Sequence, residues 1–153
     1  MKKILCTIVV ALLLAGVAMA EDKAEKSGNK GILFQKGIWK EALTLAKKEN
    51  KLVFLDIYTT WCGPCKMLKN KTFSNPSVGS FFNATFISYA IDAESAEGTA
   101  IAKQYEITGY PTLIFVNSDG DVVSRALGFH SPTELLNLGK EVNSKRTAKK
   151  VNT

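Results

Sequence analysis

Two cysteines enclosing a glycine and a proline, Cys62-Gly63-Pro64-Cys65, are the residues of this 153-residue chain best suited to chemistry. A Cys-x-x-Cys pair places two thiols one helical turn apart. With Cys62 as a helix cap and Cys65 in the first turn, the sulfurs can close a disulfide. A helix N-terminus carries unpaired N–H groups and partial positive charge, and both stabilise a thiolate at Cys62. The thiolate is the attacking species in thiol–disulfide exchange. Cys65, expected to be the more buried of the two, would then attack the mixed disulfide and release the reduced partner. Gly63 lets a partner's backbone approach, and Pro64 suits the first helical turn. A closed zinc site needs four ligands. Beyond residue 20 the chain holds two cysteines and one histidine, His130, so no metal and no cofactor is expected. A passive structural disulfide would close too short a loop to stabilise much.

Asp56 is the second residue of interest. It interrupts the apolar run Leu52-Val53-Phe54-Leu55 and Ile57-Tyr58, six positions before Cys62. Burial there would raise its pKa and let it pass a proton to or from Cys65. The other reading is a carboxylate turned to water at a strand edge. Pro111 follows Gly109 and Tyr110 and precedes an apolar strand, where proline is awkward. A cis Tyr110–Pro111 bond would allow a tight turn and leave the Tyr110 backbone free to pair with an extended partner, although trans is the commoner isomer. Trp61 is either an aromatic platform beside the cysteines or part of their rim. Lys66 could add positive charge near the thiolate or be a solvated helix residue. His130 reads as a loop residue.

The elements that must hold these residues follow from periodicity. Ile32-Leu33-Phe34 suggests a short edge strand. Residues 38–48 have helical spacing, with Ile38, Ala42, Leu45 and Ala46 on one stripe. Residues 52–58 read as a buried central strand. The cysteine pair opens a helix over 66–71, and Ser74-Asn75-Pro76 caps the next one. Residues 85–91 and 112–116 read as strands flanking a helix over 97–105. Residues 122–127 return as a hairpin strand after Asp119-Gly120. Ser131-Pro132-Thr133-Glu134 fits a capping box, and Leu135, Leu138 and Val142 stripe the last helix. This order predicts an α/β domain with a central mixed sheet flanked by helices on both faces.

Lys2 and Lys3, then an apolar run from Ile4 to Val17, then Ala18-Met19-Ala20 read as a signal peptide over 1–20, with cleavage after Ala20. Cleavage would remove Cys6 and leave one cysteine pair in an oxidising compartment. The expected layout is then a disordered linker over 21–30, a folded domain over 31–143 and a basic flexible tail over 144–153. Loss of Lys2 and Lys3 lowers the formal charge from +6 to +4. The remaining excess sits in the tail, and a solvated terminus explains it better than nucleic-acid binding. No stable membrane insertion is expected after cleavage, and a monomer is expected.

Trp61-Cys62-Gly63-Pro64-Cys65-Lys66, with Asp56 before it and Pro111 after it, resembles thioredoxin. The resemblance runs from about Gly31 to Val142 and implies the thioredoxin fold. It implies that Cys62 is the nucleophile, Cys65 the resolving cysteine, Asp56 the buried proton carrier and Pro111 the cis-proline. It also places Gly128 where a glycine keeps the partner-binding surface open. Residues 51–66, Thr72-Phe73-Ser74-Asn75-Pro76, residues 92–98, Gly109-Tyr110-Pro111-Thr112 and residues 120–128 extend a similarity to the C-terminal domain of the membrane thiol:disulfide interchange protein DsbD and its small exported relatives. That similarity implies a thiol-disulfide oxidoreductase, a periplasmic or secreted location, oxidised exported proteins as substrates and a separate membrane electron donor of the DsbD type. A reductant is the first expectation, with an oxidase or isomerase, or a noncatalytic binding module, as alternatives. Two features depart from the pattern. Gly63-Pro64 is the thioredoxin choice rather than the usual DsbD one. Ser88 falls where cytoplasmic thioredoxins often place a lysine against the buried carboxylate.

Overall fold

The computed structural model describes residues 31–151, with side chains through residue 148. The expected signal peptide and linker lie outside the described residues.

Leu52–Tyr58 forms β1, and its placement decides the rest of the sheet. Six of its seven residues are buried. Only a strand with neighbours on both sides and layers on both faces achieves that. β1 pairs in parallel with β2 (Phe86–Asp92) and antiparallel with β3 (Thr112–Val116). β3 pairs antiparallel with β4 (Val122–Leu127), so the sheet order is β2-β1-β3-β4. The mixed sheet expected from the element order is what the chain builds.

Side chains alternate across a strand, so β1 serves two cores. Val53, Leu55 and Ile57 face α1 (Trp39–Glu49) and α4 (Ala96–Gln104). Leu52 and Phe54 face a second core with Leu68, Phe73, Phe82, Leu113, Phe115 and Leu135. Phe54 makes an edge-on contact with Phe82 at 4.9 Å between ring centroids, a favoured aromatic geometry. Asp56 is next in this second series. The alternation therefore turns it toward the layer that carries the cysteines.

That layer begins with α2 (Gly63–Met67), which runs directly into a π-helical segment, Leu68–Phe73. The helix expected over 66–71 thus starts earlier and widens. In the widened segment Leu68, Thr72 and Phe73 are buried while Lys69 is exposed. Asn75 caps α3 (Pro76–Thr85) by accepting from the Ser77 and Val78 amides. α5 (Pro132–Val151) begins with the expected capping box. The Ser131 amide donates to Glu134 Oε2 at 2.7 Å, and the Glu134 amide donates to Ser131 Oγ at 3.3 Å.

Three expectations change. The edge strand at 32–34 is reduced to one bridge between Phe34 and Ser88. Its amides go elsewhere: Ile32 donates to the Phe73 carbonyl and Leu33 to Asn83 Oδ1. On α1, Trp39 rather than Ile38 enters the core, because the helix starts one residue later and leaves Ile38 52% exposed. The basic stretch expected to be a flexible tail continues α5 through Val151. Arg146 donates to the Asn50 carbonyl at 2.6 Å and so ties that helix to the end of α1.

Candidate active site

Cys62 and Cys65 are joined by a disulfide, with their Cα atoms 5.3 Å apart. Cys62 is the N-cap of α2 in extended conformation, and the Cys65 amide donates to Cys62 Sγ at 3.2 Å. This is the local arrangement that the Cys-x-x-Cys spacing anticipates. Burial does not separate the two sulfurs as expected: Cys62 is 4% exposed and Cys65 7%. The bond holds both side chains under the same loop. Gly63 and Pro64 are exposed beside them, and a Cβ at Gly63 would meet nothing within 4 Å.

What does separate them is a cavity of about 450 Å³ beneath the loop. It is lined by Cys65 and not by Cys62, together with Asp56, Thr59, Lys66, Lys69 and Phe73 among others. Asp56 is 6% exposed, and its Oδ1 has no hydrogen-bond partner. The exposed-edge reading of this residue is therefore excluded. Burial pushes its carboxyl from 3.8 up to about 7, because removing water penalises the charged form. A carboxyl that changes charge near neutral pH can accept or return a proton under physiological conditions. Thr59 is buried as well, and its Oγ1 also lacks a partner.

The rim above the disulfide comes from three loops. The Tyr110–Pro111 bond is cis. The Gly128 amide donates to the Pro111 carbonyl at 2.8 Å and so joins the end of β4 to this loop. Gly128 has φ +88°, and a Cβ there would meet nothing within 4 Å. That backbone conformation suits glycine. Trp61 is 65% exposed. It packs edge-on against Tyr110 at 6.1 Å, and its Nε1 donates to Glu94 Oε1 at 2.9 Å. Leu127 and Phe129 add further exposed apolar surface. His130 is a loop residue: its carbonyl accepts from Thr72 Oγ1 at 2.6 Å, and its Nδ1 lies 3.1 Å from the Gly128 carbonyl.

Of the residues singled out in the sequence, Cys62 and Cys65 form the disulfide, Asp56, Cys65 and Lys66 line one cavity, Trp61 packs against Tyr110, and Gly128 bonds to Pro111. Sequence reasoning missed Thr59, Lys69 and Glu94. Thr59 and Lys69 are ordinary residues in strand-end and helical contexts. Glu94 sits in a turn whose position against Trp61 depends on the parallel pairing of β1 with β2. Among the described residues no group of three or more His, Cys, Asp or Glu side chains could hold a metal ion.

Residues 39–143 match the family model described as a thioredoxin-like domain. The chain is 36% identical over 88 residues to the thiol:disulfide interchange protein DsbD of Salmonella typhimurium. The match takes in 56% of this chain but only 16% of that protein's length. A solution structure of a putative disulphide-isomerase from Bacteroides thetaiotaomicron is similar at 43% identity and TM-score 0.64. That match covers 73% of this chain and 95% of the other. The oxidised C-terminal domain of Neisseria meningitidis DsbD is similar at 28% identity and TM-score 0.60, covering 72% of this chain and 97% of the domain.

Proposed function

This chain belongs to the thioredoxin-like domain family and is a thiol-disulfide oxidoreductase, and from that premise we propose that it is exported and reduces disulfides in other exported proteins. The observation that carries the proposed chemistry is the cavity that Cys65 shares with Asp56. The proposed cycle begins when the Cys62 thiolate attacks one sulfur of a partner disulfide. The partner's other sulfur leaves with the bonding pair and takes a proton. Cys65 then loses its proton to Asp56 and attacks Cys62 Sγ. The mixed disulfide breaks, the Cys62–Cys65 disulfide forms, and the second partner sulfur leaves as a thiolate. Two electrons pass to the partner, and a separate dithiol donor must return them. Trp61, Gly63, Pro64, Tyr110, Pro111 and Gly128 form the surface on which the partner lies.

Support for the reducing direction is the Gly63-Pro64 pair, which resembles reducing thioredoxins. Support for export is the apolar leader pattern over 1–20 and the similarity to DsbD. Among the described residues no helix is long and apolar enough to cross a membrane. The description of the Bacteroides protein as a putative disulphide-isomerase favours a second reading, in which this chain donates or reshuffles disulfides.

The deciding measurement is the reduction potential of the Cys62–Cys65 pair, by equilibration with a dithiothreitol or glutathione series. A value near or below that of thioredoxin, about −270 mV, supports the reductant. A value near that of the oxidant DsbA, about −120 mV, excludes it and makes this a disulfide donor.

A further inference from the structure

Two basic runs that are far apart in the sequence meet at one end of the fold. α1 carries Lys47 and Lys48, both exposed, in its last turn, and Lys51 leads into β1. α5 reaches the same place from the other face of the sheet, where Arg146 donates to the Asn50 carbonyl at 2.6 Å. Lys145 is exposed beside Arg146, and the helix continues through Val151 past Lys149 and Lys150. Glu49 pairs with Lys51 at 2.8 Å and Glu141 with Lys145 at 2.6 Å. Lys47 and Lys48 enter neither of these ion pairs, the ones found among the described residues. Arg146 bonds to the Asn50 carbonyl and the Asn143 side chain rather than to an acid. Basic residues in a helix's last turn complement its partial negative charge, which explains Lys47 and Lys48 by themselves. Arg146 is not in the last turn of α5, and it lays the second basic run against the first. Asp119 and Asp121 share this end of the sheet, but on the β3–β4 turn, where Asn117 bonds to both.

This end is also remote from the disulfide. Lys51 precedes β1 and Cys62 follows it, and the 7 residues of the strand span roughly 23 Å. α5 gives the same separation. It starts beside Thr72, whose hydroxyl donates to the His130 carbonyl, and the helical path from Ser131 to Arg146 is roughly 22 Å.

We propose that the end of the molecule bearing Lys47, Lys48, Lys51, Lys145 and Arg146 is a docking surface for an anionic phospholipid bilayer, which holds the disulfide turned away from the membrane. The choice of a bilayer over a nucleic acid rests on the export proposed above, since an exported chain meets membrane surfaces. Among the described residues no helix can cross a membrane, so contact with a bilayer falls to the surface. Lysine and arginine are drawn to anionic lipid headgroups, and the attraction fades within about 10 Å at 0.1 M salt. Only cations on the end facing the bilayer therefore act. The disulfide end carries both signs, with Lys66 and Lys71 opposed by Asp92 and Glu94, and favours a lipid surface less. Docked in this way, the protein stays beside a membrane electron donor while Trp61, Tyr110 and Gly128 remain open to a partner.

The test is binding of the whole protein to vesicles of phosphatidylglycerol and phosphatidylethanolamine, read by sedimentation at 50 and 200 mM salt. Neutral phosphatidylcholine vesicles register any contribution of the apolar run over 4–17. Binding is expected on the anionic vesicles only and should weaken at the higher salt. Lys47→Gln with Lys48→Gln should weaken it by about 25-fold, at about 5-fold for each lysine. Lys36→Gln with Lys71→Gln removes the same charge elsewhere on the exposed surface and should change it less than about 2-fold. Both lysines of each pair are exposed, and thermal unfolding verifies that each variant folds. Reduction of the Cys62–Cys65 disulfide by dithiothreitol should run at the same rate with and without anionic vesicles. Equal loss in the two double variants, or binding that ignores salt, overturns the inference. So does a 10-fold slowing of reduction on the vesicles, which would put the disulfide against the lipid. Tighter binding to duplex DNA than to the vesicles, lost in the Lys47 and Lys48 variant, would make this end a nucleic-acid surface instead. The reduction potential separates this inference from the proposed function: a pair near that of DsbA sinks the reductant and leaves vesicle binding standing, and a reducing pair without vesicle binding does the reverse.

Discussion

Asp56 ties the proposed chemistry to stability at the scale of single residues. Its carboxyl ionises near 3.8 in the unfolded chain and near 7 in the folded one. Between those values the native state binds more protons than the unfolded state, so stability falls as pH rises. Below pH 4 the penalty is absent; above pH 7 it is complete, at about 4 kcal/mol for a shift of this size. Asp56→Asn should abolish this slope and leave the protein more stable than wild type at pH 8, as read by urea unfolding at pH 4, 6 and 8. A wild-type stability that is flat over that range would contradict the burial argument. The same substitution should slow resolution of the mixed disulfide by about 100-fold, the scale of a lost general base. Cys65→Ala should stop the cycle one step earlier, with the partner covalently held on Cys62 and released by dithiothreitol. Recovery of free partner from that variant, without added thiol, would rule Cys65 out as the resolving group. Cys62→Ala should lose all turnover; a binding module would keep its activity.

At the scale of elements, the rim depends on how α4 abuts the end of β2. Ser95 caps α4 by accepting from the Gly98 amide at 3.0 Å, while its own hydroxyl donates to the Asp92 carbonyl at 2.7 Å. A Cβ on Gly98 would collide with that same carbonyl. The close approach brings Glu94 to the Trp61 indole. Gly98→Ala should therefore cost about 1–3 kcal/mol, the range for overpacking a tight contact, measured by denaturant unfolding. An unchanged midpoint would mean that the turn relaxes freely. The widened segment after α2 acts at the same scale. It buries Leu68, Thr72 and Phe73 while leaving Lys69 at the cavity edge. The compact apolar run over 52–58 and the caps at Asn75 and Ser131 made these elements legible, because both signals are local. The π-helical widening was not legible, since it reflects packing of Leu68 and Phe73 against Phe54 and its neighbours.

For the whole molecule, the two cores on opposite faces of the sheet are closed by helices distant in sequence. α5 packs Leu135 and Val142 into the core that also holds Phe54. Its later turns reach the end of α1 through Arg146 and the Asn50 carbonyl. Ending the chain after Asn143 removes that contact and should cost about 1 kcal/mol, the net worth of a typical intramolecular hydrogen bond. Thermal unfolding of the shortened chain measures it, and an unchanged midpoint would restore the flexible-tail expectation. Composition alone could not anticipate the docking, because a run of basic residues looks the same whether it is solvated or laid along a neighbour.

The sequence by itself determined the cysteine pair, its place at the start of a helix, the strand carrying Asp56 and the alternation of elements that makes a mixed sheet. Each of these is a matter of spacing over a few residues, where the periods of strand and helix act directly. Only the tertiary structure decided that Asp56 is buried, that its cavity opens to Cys65 and not to Cys62, and that Lys69 stands at the edge of it. Those facts require Phe34, Asp56, Lys69 and Ala90 to meet around one space. Their meeting follows from strand pairing and helix packing across long stretches of chain, and no local period encodes that.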